Sequence, residues 1–362
     1  MKEVDELYMR RCLQLARCGA GSTSPNPMVG AVIVCDGRII GEGYHIRAGE
    51  PHAEVNAVNS VSADDRLLLS RSTIYVSLEP CSHYGKTPPC CDMIIACGIP
   101  RVVIGVLDTN RSVNGAGIER MRAAGIEVTV GVIEEECRRL NKAFFSVHEK
   151  GRPWVTLKWA QSADGFIDLL RDSGSAVKIS TPVSQVAVHK LRACHDAIIV
   201  GRHTALLDDP SLDIRCWTGR PPLRLVIDKN GSLPADLKMF KGLQPTIVYT
   251  ACDREGKFGK NIEQVVLDFD EPLLPQILSH LGSLKIGSLL VEGGATVLQS
   301  FINASLWDEA RVEINPALNL GDGVVAPVLE GLSAIAKEKV AGNEILHFHR
   351  KKTPLINFNY YK

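Results

Sequence analysis

From Met28 onward, short apolar runs closed by turn-forming residues alternate with stretches of helical character. Such alternation predicts strands laid side by side with helices packed on them. Met28 to Cys35, then Asp36-Gly37, then Arg38 to Gly43 predicts a β-hairpin, because Asp-Gly supplies the positive φ angles of a tight primed turn. A helix is expected to begin near Pro51. Thr73 to Leu78 is the next strand, Asp92 to Ala96 a helix ended by Gly98, and Arg101 to Val106 another strand. Glu119 to Ala124, stopped by Gly125, reads as a short helix before the strand Ile126 to Val130. These elements predict an α/β sandwich with a mixed five-stranded sheet.

The segment His148-Glu149-Lys150-Gly151-Arg152-Pro153 is charged and broken by Gly and Pro, which places a junction there and divides the chain into domains 1–150 and 151–362. A second α/β pattern follows. Strands are predicted at Trp154 to Trp159, Asp196 to Val200, Leu223 to Ile227, Thr246 to Tyr249 and Ser288 to Val291, with helices at Val183 to Cys194 and Ala295 to Ile302. The turn Val291-Glu292-Gly293-Gly294-Ala295-Thr296 leads from strand to helix, so its bare amides could receive a phosphate. It lacks the G-x-G-x-x-G fingerprint, and such a Gly pair at a strand-helix turn is more often only tight backbone geometry.

Length and charge narrow the function. With 362 residues, 45% hydrophobic, the chain can bury a core in each of two domains. Its formal net charge of zero and the lack of a clustered Lys/Arg run argue against a polynucleotide substrate and for a small anionic one. No apolar stretch approaches the roughly 18 residues of a membrane span, and the start Met1-Lys2-Glu3-Val4-Asp5 has no signal-peptide core, so a cytoplasmic protein is expected. The eleven cysteines form no regular framework and read as reduced thiols. Cys12, Cys18, Cys35, Cys97, Cys194 and Cys216 are expected to be small buried or half-buried hydrophobes.

The chemistry concentrates in His52-Ala53-Glu54, Pro80-Cys81 and Pro88-Pro89-Cys90-Cys91. One His and two thiolates hold a tetrahedral zinc with the fourth position open to water, whereas a structural site closes all four positions with protein. Zinc lowers the pKa of that water to around 7, and Glu54, two residues past the ligand, is placed to move its proton to a leaving amine. The usual H-x-E and P-C-x-x-C signature is stretched here, because eight residues separate Cys81 from Cys90. Cys90 and Cys91 compete for the third position. Adjacent helical residues point about 100° apart, so only one of them can face the metal. An ordinary surface His with two core thiols is the alternative reading of the set, and Glu54 with both Pro-Cys contexts weighs against it.

The loop Cys81-Ser82-His83-Tyr84-Gly85-Lys86-Thr87-Pro88-Pro89-Cys90 resembles that of the bifunctional bacterial riboflavin-biosynthesis family, in which a diaminohydroxyphosphoribosylaminopyrimidine deaminase is fused to a 5-amino-6-(5-phosphoribosylamino)uracil reductase. Pro25-Asn26-Pro27-Met28-Val29-Gly30, Gly43-Tyr44-His45, Gly49-Glu50-Pro51-His52-Ala53-Glu54 and Leu78-Glu79-Pro80-Cys81 are similar to the family's deaminase half. Lys158, Ala163-Asp164-Gly165, Asp208-Asp209-Pro210-Ser211-Leu212 and Val291-Glu292-Gly293-Gly294 are similar to its reductase half, so the resemblance runs along nearly the whole chain.

That resemblance implies an α/β fold: an N-terminal cytidine-deaminase-like three-layer sandwich and a C-terminal dihydrofolate-reductase-like domain. It implies zinc on His52, Cys81 and Cys90, with Glu54 catalytic. Substrate contacts would come from Asn26, His45, His83, Lys86, Lys158, Arg192, Leu212, Arg215 and Glu292, with Arg192 and Arg215 on the ribosyl phosphate. NADPH would be held by Gln161, Thr204, Asp208, Gly293, Gly294, Ala295 and Thr296. Each has a plainer reading: Asn26 as a turn residue, His83 and Lys86 as solvated loop residues, the arginines as surface ion-pair partners, and Glu292 as a helix cap.

The implied activity is deamination of 2,5-diamino-6-(5-phosphoribosylamino)pyrimidin-4(3H)-one, followed by NADPH-dependent reduction of the ribosyl group to a ribityl chain. A small-molecule substrate, no nucleic acid, no membrane and an oligomer of identical chains are expected. The chain departs from the family pattern in the reductase half: the segment 166–172 is about two residues longer, Lys178 lies where Trp is common, and Lys229 near a usual Ser.

Overall fold

The computed structural model describes residues 2–82, 84, 88–109, 115–253, 256 and 258–350. His83 and Lys86 lie outside them. The chain divides into two compact units, residues 1–151 and 152–362. At the division Gly151 adopts a left-handed φ of 66°, which ends the helix before it.

The first unit runs α1 (Lys2–Arg17), β1 (Gly30–Cys35), β2 (Arg38–Tyr44), α2 (Ala53–Ser60), β3 (Thr73–Val76), α3 (Cys90–Ala96), β4 (Arg101–Ile104), α4 (Ala116–Ala123), β5 (Glu127–Val130), α5 (Glu134–Leu140) and α6 (Lys142–Lys150). Strand order is β2-β1-β3-β4-β5. β1 is antiparallel to both neighbours while β3, β4 and β5 are parallel, so the sheet is mixed as its pattern predicts. Asp36 and Gly37 carry φ values of 51° and 77°, as the primed hairpin turn requires.

Both faces of the sheet are covered. Ala57 of α2, Ile94 of α3 and Met121 of α4 pack on one side of β1, β3 and β4. Met9, Leu13, Cys137 and Phe145, from α1, α5 and α6, pack on the other, giving three layers. Helix α1 is an element that the strand-centred reading passes over, although its buried Met9, Cys12, Leu13 and Ala16 keep a helical spacing.

The second unit runs β6 (Trp154–Ser162), β7 (Phe166–Asp168), α7 (Pro182–Ala193), β8 (Ala197–Gly201), α8 (Arg202–Asp208), β9 (Leu223–Ile227), β10 (Thr246–Thr250), β11 (Ile262–Val266), α9 (Leu273–Ser283), β12 (Ser288–Val291), α10 (Ala295–Asn303), β13 (Glu309–Asn315), β14 (Val324–Val325), β15 (Ala336–Val340) and β16 (Asn343–His349). The main sheet is ordered β11-β10-β9-β8-β12-β6-β13-β16-β15. It is parallel from β11 to β13, and β16 and β15 close it in antiparallel fashion. Strands buried on both faces, such as the continuous Ala197–Gly201 run, are what a parallel sheet demands. Helices α9 and α10 cover one face, and α7 and α8 the other. β7 and β14 form a separate small ribbon.

Cys12 and Cys35 are buried and Cys97 is half-buried, but Cys18, Cys194 and Cys216 are exposed, contrary to expectation. Cys194 is a helix C-cap, and Cys18 and Cys216 lie in turns, where the backbone has left the packed layer. Among the described residues no helix is long and apolar enough to cross a membrane.

Candidate active sites

Pro51 follows an irregular turn after β2, and His52 is the N-cap of α2 in extended conformation. Glu54 follows in the first turn and is buried. The helix is laid directly on β2, because a Cβ on Gly43 would stand 2.3 Å from the Ala57 nitrogen and only glycine permits that approach. Cys90 opens α3 after Pro89, and Cys81 follows β3 in an irregular segment. The Cys90 amide donates to Cys81 Sγ at 3.3 Å, as a thiolate at a helix start attracts.

His52 Nδ1 lies 3.6 Å from Cys81 Sγ and 3.4 Å from Cys90 Sγ. A tetrahedral ion with Zn–S near 2.3 Å and Zn–N of 2.0–2.1 Å sets S and N about 3.6 Å apart, so the donor set fits zinc in both chemistry and spacing. All three donor atoms lie within 4.8 Å of one another. Cys91, which lies in the apolar core between the sheet and its helices, has its Sγ near Arg120 and Asp92. The structure thus separates the adjacent thiols by direction.

The electrostatics suit metal and proton transfer. The Cys81 thiol is held far below its usual range by hydrogen bonding with Cys90, assisted by His52, while Cys90 is pushed up by the same shared hydrogen and by burial. Burial pushes the Glu54 carboxyl up to about 7, against the opposing pull of His52.

Two further residues read from the sequence join this site. Asn26 Nδ2 stands 3.1 Å from His45 Nε2, and His45 Nδ1 lies 3.1 Å from the Pro51 carbonyl. Nδ1–H therefore donates to Pro51 and Nε2 accepts from Asn26, which makes His45 a neutral imidazole, as its burial also favours. The His45 and His52 rings meet edge to face, with centroids 5.5 Å apart.

The supports of this arrangement escape sequence reading. Asn141, between α5 and α6, accepts the Met28 amide and donates to the Met28 carbonyl, each at 2.8 Å, and so fixes the backbone beside Asn26. Glu79, two residues before Cys81, is buried and accepts the amides of Asp108 and Gly115. The Asn141 contact spans 113 residues and has no local pattern to announce it.

In the second unit the turn between β12 and α10 brings Gly293, Gly294, Ala295 and Thr296 to a helix N-terminus without a side-chain cap. Its first amides are free to bind an anion, which fits a dinucleotide phosphate. Thr204 of α8 packs against this turn: its Oγ1 would lie 3.1 Å from a Cβ on Gly294, which has a φ of 70°. Glu292 does not cap α10. Its carboxylate instead takes a two-pronged ion pair from Arg192, with Nε to Oε1 at 3.0 Å and Nη2 to Oε2 at 2.6 Å.

Lys158 on β6 feels the carboxylates of Glu292 and Glu313, which favour its charge, and the guanidiniums of Arg192 and Arg311, which oppose it; burial, the largest influence, lowers its pKa. Arg192 Nη1 and His189 Nδ1 both donate to the Asp213 carbonyl, at 3.1 and 2.9 Å, and seat the segment containing Leu212 and Arg215 against α7. Leu212 is buried with a φ of 51°, and Arg215 is exposed and paired with Asp213 at 2.6 Å. Gln161, near the end of β6, accepts from Trp159 Nε1 at 2.8 Å, and Asp208, ending α8, is paired with Arg171. Lys178 and Lys229 are both exposed, the latter with Nζ 5.7 Å from the Phe269 ring.

Two family models match the chain: the cytidine and deoxycytidylate deaminase zinc-binding region over residues 2–106, and the RibD C-terminal domain over residues 153–349. The chain belongs to the RibD family. The riboflavin biosynthesis protein RibD of Aquifex aeolicus is 40% identical over 97% of this chain and 99% of its own length. That of Escherichia coli is 37% identical over 92% and 93%. Among solved structures, a diaminohydroxyphosphoribosylaminopyrimidine deaminase/5-amino-6-(5-phosphoribosylamino)uracil reductase from Thermotoga maritima superposes with a TM-score of 0.88 at 35% identity, covering 96% of this chain and 99% of that one. A RibD from Acinetobacter baumannii gives 0.86 at 31% identity, covering 96% and 99%. Like the RibD family, the chain couples a zinc-type deaminase to a reductase in riboflavin biosynthesis. The deaminase match falls in the first compact unit and the RibD C-terminal match in the second.

Proposed function

We propose that residues 1–150 deaminate 2,5-diamino-6-(5-phosphoribosylamino)pyrimidin-4(3H)-one and that residues 151–362 then reduce the resulting 5-amino-6-(5-phosphoribosylamino)uracil with NADPH, opening its ribosyl group to a ribityl chain. The observation that carries this reading is the three-donor cluster of His52, Cys81 and Cys90, with the non-ligating Glu54 buried in the adjacent helical turn. Zinc bound to those donors supplies water activated at neutral pH.

The rest is done by the chain. Glu54, with a carboxyl poised near 7, takes the proton of the attacking water and delivers it to the departing amine as the ring carbon loses ammonia. Asn26 and the neutral His45 orient the pyrimidine, and His83 and Lys86 meet the substrate and its phosphate. In the reductase, NADPH supplies the hydride for C1′. The α10 turn, Thr204, Gln161 and Asp208 hold the dinucleotide, while Lys158, Arg192, Leu212, Arg215 and Glu292 hold the phosphoribosyl substrate.

The free cysteines suit the reducing cytoplasm, where we place the enzyme as an oligomer of identical chains. Incubation with the diaminopyrimidine and NADPH, following ammonia and NADPH together, tests the reading: ammonia must appear first, and its absence contradicts the assignment.

A further inference from the structure

Arg171 sits in the segment that leaves β7. Only 10% of its side chain is exposed. Its Nε donates to Asp168 Oδ2 at 2.7 Å, and its Nη1 to the carbonyls of Gly174 at 2.8 Å and Leu207 at 3.4 Å. Its Nη2 donates to the Asp208 carboxylate. The other oxygen of Asp168 accepts the Val177 amide at 3.0 Å. The loop is therefore folded back on itself twice and tied to the last turn of α8.

That tie matters because α8 cannot hold its own end. It spans Arg202–Asp208, a length at which helix formation is marginal without outside contacts, and the chain turns sharply at Asp209, whose φ is 40°. The carbonyl of Leu207 belongs to the last turn, where acceptors lack intrahelical donors and where a cation is favoured by the helix dipole. Arg171 satisfies both needs with one planar fork, which a lysine cannot reproduce. Thr204, four residues before Asp208, lies one turn earlier on the same side and packs against the Gly293-Gly294 turn. One end of α8 is thus seated on the α10 turn and the other is held by Arg171.

We infer that Arg171 is a positioning residue of the reductase, which fixes the end of α8 so that Asp208 and Thr204 are presented together to the dinucleotide. This inference rests on the reading that those two residues contact NADPH.

The test uses the full-length chain with the deaminated uracil as substrate and compares Arg171→Ala, Arg171→Lys, Asp208→Asn and the Arg171→Ala/Asp208→Asn double variant. Loss of charge-assisted hydrogen bonds predicts that both Arg171 variants raise the KM for NADPH roughly tenfold or more. The kcat and the KM for the uracil should move less than about twofold, and ammonia release from the diaminopyrimidine should not change. Because the two residues act as a unit, the double variant should be little worse than Asp208→Asn alone. The lysine variant keeps the charge and one carboxylate contact, so it reports even if the alanine variant fails to fold. An unchanged KM for NADPH in both Arg171 variants, beside a raised KM in Asp208→Asn, overturns the positioning role while leaving the cofactor reading intact. No effect of Asp208→Asn overturns the reading itself and the inference with it. A fall in kcat at constant KM for NADPH also overturns the inference, because it would place Arg171 in the reaction geometry and not in cofactor presentation.

Discussion

Arg192 and Glu292, a hundred residues apart in sequence, form a buried two-pronged ion pair with Nη2 2.6 Å from Oε2. Burial works against the Glu292 charge, but Arg192 and Lys158 outweigh it and hold the carboxyl below its usual range. The stability this contributes is complete above the free carboxylate value of about 4.3 and is lost as pH falls through the lower folded value. Arg192→Met strips the buried carboxylate of its hydrogen-bonded partner and leaves only the more distant charge of Lys158, and should destabilise the second unit by about 3 kcal/mol at pH 7. The deficit should shrink as pH falls toward 5 and Glu292 takes up a proton, and Glu292→Gln added to Arg192→Met should recover part of it. Urea unfolding at the two pH values decides the matter; an equal deficit at both would show that the carboxylate is not what Arg192 neutralises.

The adjacent thiols differ in direction and not in chemistry. Cys90 Sγ stands 3.4 Å from His52 Nδ1, whereas Cys91 lies in the apolar core near Arg120. Cys90→Ser should abolish zinc binding and deamination, while Cys91→Ser should keep the metal with a stability loss of about 1 kcal/mol. Metal content of the purified variants is the check, and equal zinc loss in both would refute the assignment.

Asn141 tests whether a remote support sets the deaminase site. Its two 2.8 Å bonds to Met28 engage both the oxygen and the nitrogen of the carboxamide, so Asn141→Leu should leave half-buried backbone groups without these partners, at a cost of about 1 kcal/mol. Deamination should fall with it, through a raised substrate KM, while NADPH oxidation with the uracil stays unchanged. A variant with normal deamination kinetics would mean that the Pro25–Pro27 segment holds its shape alone.

These contacts mark the limit of what the sequence discloses. The Asp36-Gly37 hairpin, the central strands of both sheets and the His52, Cys81 and Cys90 cluster are local or strongly patterned, and all are legible in it. Strand β13 is not. It is absent from the predicted strands: its Glu309, Arg311 and Glu313 alternate with apolar residues, yet Arg311 and Glu313 are buried opposite Lys158 and Ala160 of β6. The Arg192–Glu292 pair, the Asn141 support and the Arg171 knot depend on tertiary proximity between distant segments, which no periodicity encodes.

The central claim, two chemistries in a fixed order with Glu54 moving protons in the first, is tested most directly by NADPH oxidation in the full-length Glu54→Gln chain. The variant should retain one zinc per chain, because Glu54 is not among the donors His52, Cys81 and Cys90. Given the diaminopyrimidine and NADPH, it should release no ammonia and oxidise no NADPH. Given the deaminated uracil, it should oxidise NADPH at the unsubstituted rate. NADPH oxidation by Glu54→Gln with the diaminopyrimidine would contradict the order, and loss of its zinc in a folded chain would contradict the role of Glu54.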